Sequence, residues 1–166
     1  MKNDKDMSRW IIKQMFYLRP VPKEFSVSIG YGVKGSSWSR HINGKGLWVA
    51  GQKEGMGQHP GTDFDAPEGT LVVSMANGYI GKAGWENPQA KEQGYGLRIR
   101  QTISLSKWCL VYGHLSHLFV KPGAWVERGD PIAQTGRTGN ASRPHLHCHL
   151  ENPDGQYHEL SFDEES

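Results

Sequence analysis

Arg143-Pro144-His145-Leu146-His147-Cys148-His149-Leu150 alternates between imidazole and apolar side chains without a break from His145 onward. In an extended strand successive side chains point to opposite faces, so His145, His147 and His149 share one face and Leu146, Cys148 and Leu150 the other. The apolar face reads as core. The opposite face carries the densest set of nitrogen donors in the chain, and histidine is the commonest metal-binding side chain. At a rise of about 3.3 Å per residue, alternate positions stand roughly 6.6 Å apart and can converge on one site, while His145 and His149 are twice as far apart. Any site that takes two of the three therefore includes His147. Read alone, the stripe is equally a run of wet histidines on a surface strand.

Outward from this strand the chain keeps reading as β. Strand-like runs at Leu71 to Ser74, Gly78 to Ala83, Gly96 to Gln101, Ser106 to Tyr112, Ala124 to Val126 and Pro131 to Gln134 are separated by turn residues. Together with 21 glycines and 9 prolines they predict a mostly β, antiparallel domain. VSIGYG and GLWVAG are further candidate strands within the long loops of residues 25–57, where Tyr31, Trp38 and Trp48 are placed to wall a groove or simply to pack. Met7, Trp10, Ile11, Met15 and Leu18 recur at helical spacing up to Arg19-Pro20, which predicts a short helix over residues 7–18. The expected division is a helical extension over 1–24 and one domain over 25–166, since 166 residues suit a single core.

Composition narrows the function. A net charge of +2 and a pI near 8.5 fall short of the clustered basic surface of a nucleic-acid binder. Apolar content of 36% and a mean hydropathy of −0.63 come with no apolar run near the length of a membrane span, so no membrane insertion is expected. Cys109 and Cys148 lack a C-x-x-C spacing and each sits in an apolar strand pattern, as small hydrophobes do. Lys13 and Gln14 interrupt the apolar residues near the N-terminus, so no signal-peptide core is read there and synthesis in the cytoplasm without a cleaved leader is expected.

Two other stretches carry chemistry. In His59-Pro60-Gly61-Thr62-Asp63, Pro60-Gly61 argues for a tight turn into a strand, a turn that can bring His59 and Asp63 to one point. The commoner role of such an aspartate is to stabilise its turn. With His147 the pair makes a His/Asp/His set of the kind zinc accepts, and three protein ligands leave a fourth position open, as in catalytic rather than structural zinc sites. Trp108-Cys109-Leu110-Val111-Tyr112 runs into Gly113-His114, which places His114 at the end of a buried strand. His41, His117 and His158 read as loop or surface, and His149 is expected to contribute to neither metal binding nor catalysis.

With His59-x-x-x-Asp63, Tyr112-Gly113-His114-Leu115-Ser116 and His145-Leu146-His147 in order, the chain resembles the LytM or lysostaphin-type zinc endopeptidases of the M23 class over about residues 55 to 155. The framework between the motifs, such as Ala66-Pro67-Glu68-Gly69-Thr70 and Gly94-Tyr95-Gly96, resembles that family too. The resemblance implies a small antiparallel β-sheet domain with loops walling a groove. It implies one zinc per chain held by His59, Asp63 and His147, with His114 and His145 beside the metal without ligating it. The implied activity is cleavage of peptide bonds in bacterial peptidoglycan, in the stem or the cross-bridge; a monomer is expected. That substrate, outside the membrane, together with the polar N-terminus suggests a phage-type endolysin released through a separate pore or carried by a virion. Two departures stand out: His149 replaces the acidic residue often found two positions after the last ligand, and Arg143 replaces a small residue before Pro144.

In the implied reaction His114 or His145 moves the proton, and Tyr112 is a candidate for oxyanion support beside its commoner role in packing. Two rival readings are a wall-binding regulator without activity and a carrier module. The carrier reading comes from Val120 to Ala133, which looks like the text of biotinyl and lipoyl domains. Such carriers display a lysine at a hairpin tip, and Ser74-Met75-Ala76-Asn77-Gly78 has none.

Overall fold

The computed structural model describes residues 17–33 and 59–163. Within them the chain forms β1 (Val27–Ile29), β2 (Thr62–Phe64), β3 (Leu71–Val73), β4 (Gly78–Trp85), β5 (Leu97–Ile103), β6 (Cys109–Gly113), β7 (Leu115–Leu118), β8 (Trp125–Val126), β9 (Pro131–Thr135), β10 (Leu146–Glu151) and β11 (Tyr157–His158). One sheet runs β1-β2-β10-β6-β5-β4-β8 with β11 added to β10, and a second runs β3-β9-β7. Every pairing among these strands is antiparallel. The expected mostly β, antiparallel architecture is therefore the observed one.

The alternation of β10 does what its sequence says. Leu146, Cys148 and Leu150 enter one apolar core with Phe64, Leu110, Tyr112 and Ile99 of the large sheet and Val72, Leu115, Ile132 and Ala133 of the small one. The apolar run of β6 is buried along its whole length because β10 and β5 flank it on both sides. Burying a leucine side chain contributes about 1.5–3 kcal/mol, so this face supplies much of the drive that seats β10 at the centre.

Two strands escaped the sequence pattern. Leu115–Leu118 is short and His117 is exposed on it, so a strand looked like loop; Tyr157–His158 has only two residues. Of the helix expected over 7–18, residues 7–16 lie outside the described residues, and Tyr17 forms a bridge to Phe162. Leu18 N–H donates to Met75 O and Val73 N–H to Pro20 O, which ties this segment to the large core. His41, Trp38, Trp48 and the candidate strand GLWVAG also lie outside the described residues. No helix among the described residues is long and apolar enough to cross a membrane. Cys109 and Cys148 are both buried free thiols.

Candidate metal centre

Register places the site. β2 and β6 flank β10, and His147 lies opposite Asp63 on one side and opposite Gly113 on the other. Directly opposed residues on antiparallel strands project from the same face, so Asp63 and His147 meet by construction. His59 joins them from the turn before β2. Its N–H donates to Val33 O and its carbonyl accepts from Gly32 N–H, while its ring Nδ1 lies 3.1 Å from Gly30 O. A carbonyl accepts only, so Nδ1 carries the proton and Nε2 keeps its lone pair. That Nε2 lies 3.2 Å from Asp63 Oδ1, and His147 Nδ1 lies 2.7 Å from the same oxygen.

All three residues are buried, at 1%, 4% and 2% exposure, and each offers a ligand atom within 4.8 Å of the others. Burial alone would raise the Asp63 carboxyl, but the His147 and His59 rings packed against its oxygens overcome it and hold the group well below the carboxylate range. Burial pushes His147 down to about 3 against the pull of Asp63, so the ring is neutral. An ionised carboxylate and two imidazoles, sunk together out of water, make a donor set that fits a divalent cation such as zinc. Without a cation a buried carboxylate is costly.

Two more histidines border the cluster. His114, just past the end of β6, has a left-handed backbone (φ 59°), uncommon for a non-glycine residue. Its N–H donates to Tyr95 O at 2.7 Å and its Nδ1 to Thr138 O at 2.7 Å. Burial, reinforced by the neighbouring His145, lowers its pKa to about 4. The rings of His114 and His145 are 4.5 Å apart between centroids, and His145 Nε2 lies 3.8 Å from Asp63 Oδ2. His145 Nδ1 is 2.9 Å from Arg143 O, so both histidines, like His59, are oriented by a backbone carbonyl. The five residues singled out in the sequence are thus brought to one place. Arg143 pairs with Asp65 at the rim.

Tyr112 is corrected. Its ring lies in the core, its hydroxyl accepts from Met75 N–H at 2.9 Å and donates to Gln101 Oε1 at 2.8 Å, and it pairs in register with Cys148. That is the face opposite the cluster, so Tyr112 gives no oxyanion support.

Three residues of the site were given no role from the sequence. Tyr95 stacks on His147 (4.7 Å between centroids, 20° between planes) and tilts against His114 and His149. It fits only because Gly113 has no side chain, since a Cβ there would sit 3.0 Å from Tyr95 Cβ. The signal was the Gly94-Tyr95-Gly96 framework. His149, expected to play no part, is fully buried, with Nδ1 at 3.0 Å from His147 Nε2 and Nε2 at 3.1 Å from Glu151 Oε1. Glu151 in turn accepts from Arg100 Nε and Nη2 at 3.0 and 2.8 Å.

The sequence model of peptidase family M23 matches residues 57–159, well over half the chain and all five of these residues. The chain belongs to this family. Among M23 relatives, 91 residues are 38% identical to lysostaphin of Staphylococcus simulans, and 92 residues are 33% identical to the peptidoglycan DD-endopeptidase ShyA of Vibrio cholerae. Each match spans 55% of this chain but only 17% and 20% of the relative, so the shared part is about a fifth of those proteins. The catalytic domain of lysostaphin superposes with a TM-score of 0.59 at 30% identity, covering 77% of this chain and 80% of that one. A zinc-containing peptidase of Vibrio cholerae shares the fold with a TM-score of 0.66 at 24% identity, over 87% of this chain and 38% of its own.

Proposed function

We propose that this M23 domain is a zinc-dependent endopeptidase that hydrolyses peptide bonds in bacterial peptidoglycan. The observation that carries the reading is the convergence of His59, Asp63 and His147, buried together, with two carbonyl-oriented histidines beside them. The names of its relatives support the substrate: lysostaphin, a glycyl-glycine endopeptidase of Staphylococcus capitis at 37% identity, and the DD-endopeptidase ShyA.

His59 Nε2, an Asp63 carboxylate oxygen and His147 Nδ1 are the atoms placed to hold the metal. Zinc there supplies a Lewis acid that polarises a carbonyl and brings the ionisation of water toward neutral pH. The rest falls to the chain's own groups. His114 and His145 donate through Nδ1 to Thr138 O and Arg143 O, which leaves each Nε2 to take a proton from water, hold it, or pass it to the departing amine. The lowered pKa of His114 keeps it in the basic form at neutral pH. Neither ring needs to reorient, because the carbonyls hold both planes.

The rival readings lose their footing. A carrier would display the Ser74–Gly78 segment, whereas Ser74 and Met75 are fully buried. A regulator without activity has no use for five assembled site residues. The test is metal analysis together with mass spectrometry of fragments released from purified walls of several cross-link types. One zinc per chain and new peptide termini from at least one wall are expected; stoichiometric zinc with no cleavage of any wall overturns the enzymatic reading.

A further inference from the structure

His59 and His147 are held in different ways. A backbone carbonyl, which can only accept, fixes the proton of His59 on Nδ1. His147 Nε2 faces a second imidazole, and an imidazole nitrogen donates or accepts according to its tautomer. The direction must come from further along. At the far end stands Glu151, 14% exposed at its side chain, with two N–H groups of Arg100 on Oε2 and His149 Nε2 on Oε1. Burial opposes ionisation of Glu151, but hydrogen bonds and charge from His149 and Arg100 bring its pKa down to about 2.

An ionised carboxylate only accepts, so His149 donates to it from Nε2. With its Nε2 proton committed to Glu151, His149 presents Nδ1 as an acceptor, and the 3.0 Å contact is a donation from His147 Nε2. This leaves the lone pair of His147 on Nδ1, the atom 2.7 Å from Asp63. The reverse tautomers would set a bare His149 Nε2 against the Glu151 carboxylate, two acceptors 3.1 Å apart and away from the metal position, whereas the facing lone pairs of His147 Nδ1 and Asp63 belong to the three residues that could hold a cation between them. The His149 ring has little room to turn. Tyr157 meets it edge-on at 4.7 Å, Tyr95 leans on it at 5.1 Å, and a Cβ on Gly61 would lie 2.8 Å from its own Cβ.

We propose that His149 and Glu151 form an orienting chain, anchored by Arg100, that commits His147 to the tautomer with its Nδ1 lone pair facing the metal position. His149 is a positioning residue and takes no part in bond breaking. The inference rests on the zinc reading above. It replaces the carboxylate whose absence at position 149 stood out in the sequence: the acid is at 151, and His149 relays it.

Zinc affinity of the metal-free protein, measured at one neutral pH by competition with a chromogenic chelator, tests this without reference to activity. His149→Phe keeps an aromatic ring between Tyr95 and Tyr157 but removes both nitrogens, and should weaken zinc binding about 10- to 100-fold. His149→Gln restores an acceptor toward His147 and a donor toward Glu151, and should recover most of that loss. A structural role alone would lower thermal stability in both variants without separating their zinc affinities. A folded His149→Phe protein that binds zinc as tightly as the parent overturns the proposal, as does a His149→Gln protein no better than His149→Phe. Should His149→Phe fail to fold, Glu151→Gln decides in the same titration: weaker binding supports the chain and parent-like binding overturns it. A parent that takes up no stoichiometric zinc defeats the zinc reading itself, whereas parent-like binding by the variants defeats only the orienting chain.

Discussion

The two faces of β10 are equally buried and differ completely in what burial requires of them. Leu146 and Cys148 need only neighbours of the right shape, which the two sheets supply. His147 and His149, one residue away on the other side, need a partner at every ring nitrogen: the metal position beside Asp63 for His147 Nδ1, each other, and Glu151. Burial therefore does not tell core from site. What tells them apart is a chain of polar contacts that ends in two ionised carboxylates, because a buried polar group without a partner costs about 1–3 kcal/mol. The polar face is also lidded by Tyr95 and Tyr157 and so is not the wet stripe that its composition equally allowed.

The sharpest way to break this contrast is on the polar face. His59→Ala, Asp63→Ala or His147→Ala removes one of three protein ligands, so zinc content and wall cleavage should vanish together. His114→Ala and His145→Ala should keep the metal and lose about 10²- to 10⁴-fold in rate, read as kcat on a defined peptide beside zinc content. Zinc lost from His145→Ala but kept by His147→Ala would reverse the assignment.

On the apolar face, Leu146→Ala should destabilise the domain by about 2–5 kcal/mol in urea unfolding, while the molecules that remain folded bind zinc normally. Coupled loss of zinc affinity would show that the faces are not independent.

Acid should act through the polar face alone. His114 and His147 are neutral when folded, with pKa values lowered from 6.5 to about 4 and about 3. The unfolded chain then binds more protons between pH 6.5 and those values. Metal-free protein should be fully stabilised above pH 6.5 and lose stability as pH falls through this window, by up to about 1.4 kcal/mol per pH unit for each histidine. Urea unfolding at a series of pH values checks this, and a flat profile would contradict neutral burial.

The smallest effect concerns Tyr112. Tyr112→Phe should cost about 1–3 kcal/mol of stability, because Met75 N–H and Gln101 lose a buried partner, while kcat of the folded protein stays that of the parent. A fall in kcat at unchanged stability would restore Tyr112 to the site.

That tyrosine shows where reading by alternation stops. Two positions before His114 on a straight strand, Tyr112 would share its face, but β6 ends at Gly113 and the left-handed turn at His114 swings its imidazole out of the alternation. His114 therefore reaches the site and Tyr112 the core. Tyr95 was visible only as framework, since its stacking on His147 depends on a gap left by Gly113, eighteen positions along the chain.

The places of His114 and His145 beside the metal position came from the family resemblance, whereas local pattern was enough for the strand character of most elements, the two faces of β10, and the His59, Asp63 and His147 donor set. These follow from the two-residue period of a strand and from residue chemistry, both of which are present in any short window of the chain. The pairing of Asp63 with His147, the choice of Nδ1 or Nε2 on each ring, and the connection of His149 through Glu151 to Arg100 belong to tertiary structure alone. They depend on which strand lies beside which and in what register, and that is settled by burying the whole apolar face of the sheet at once, across separations of fifty residues and more.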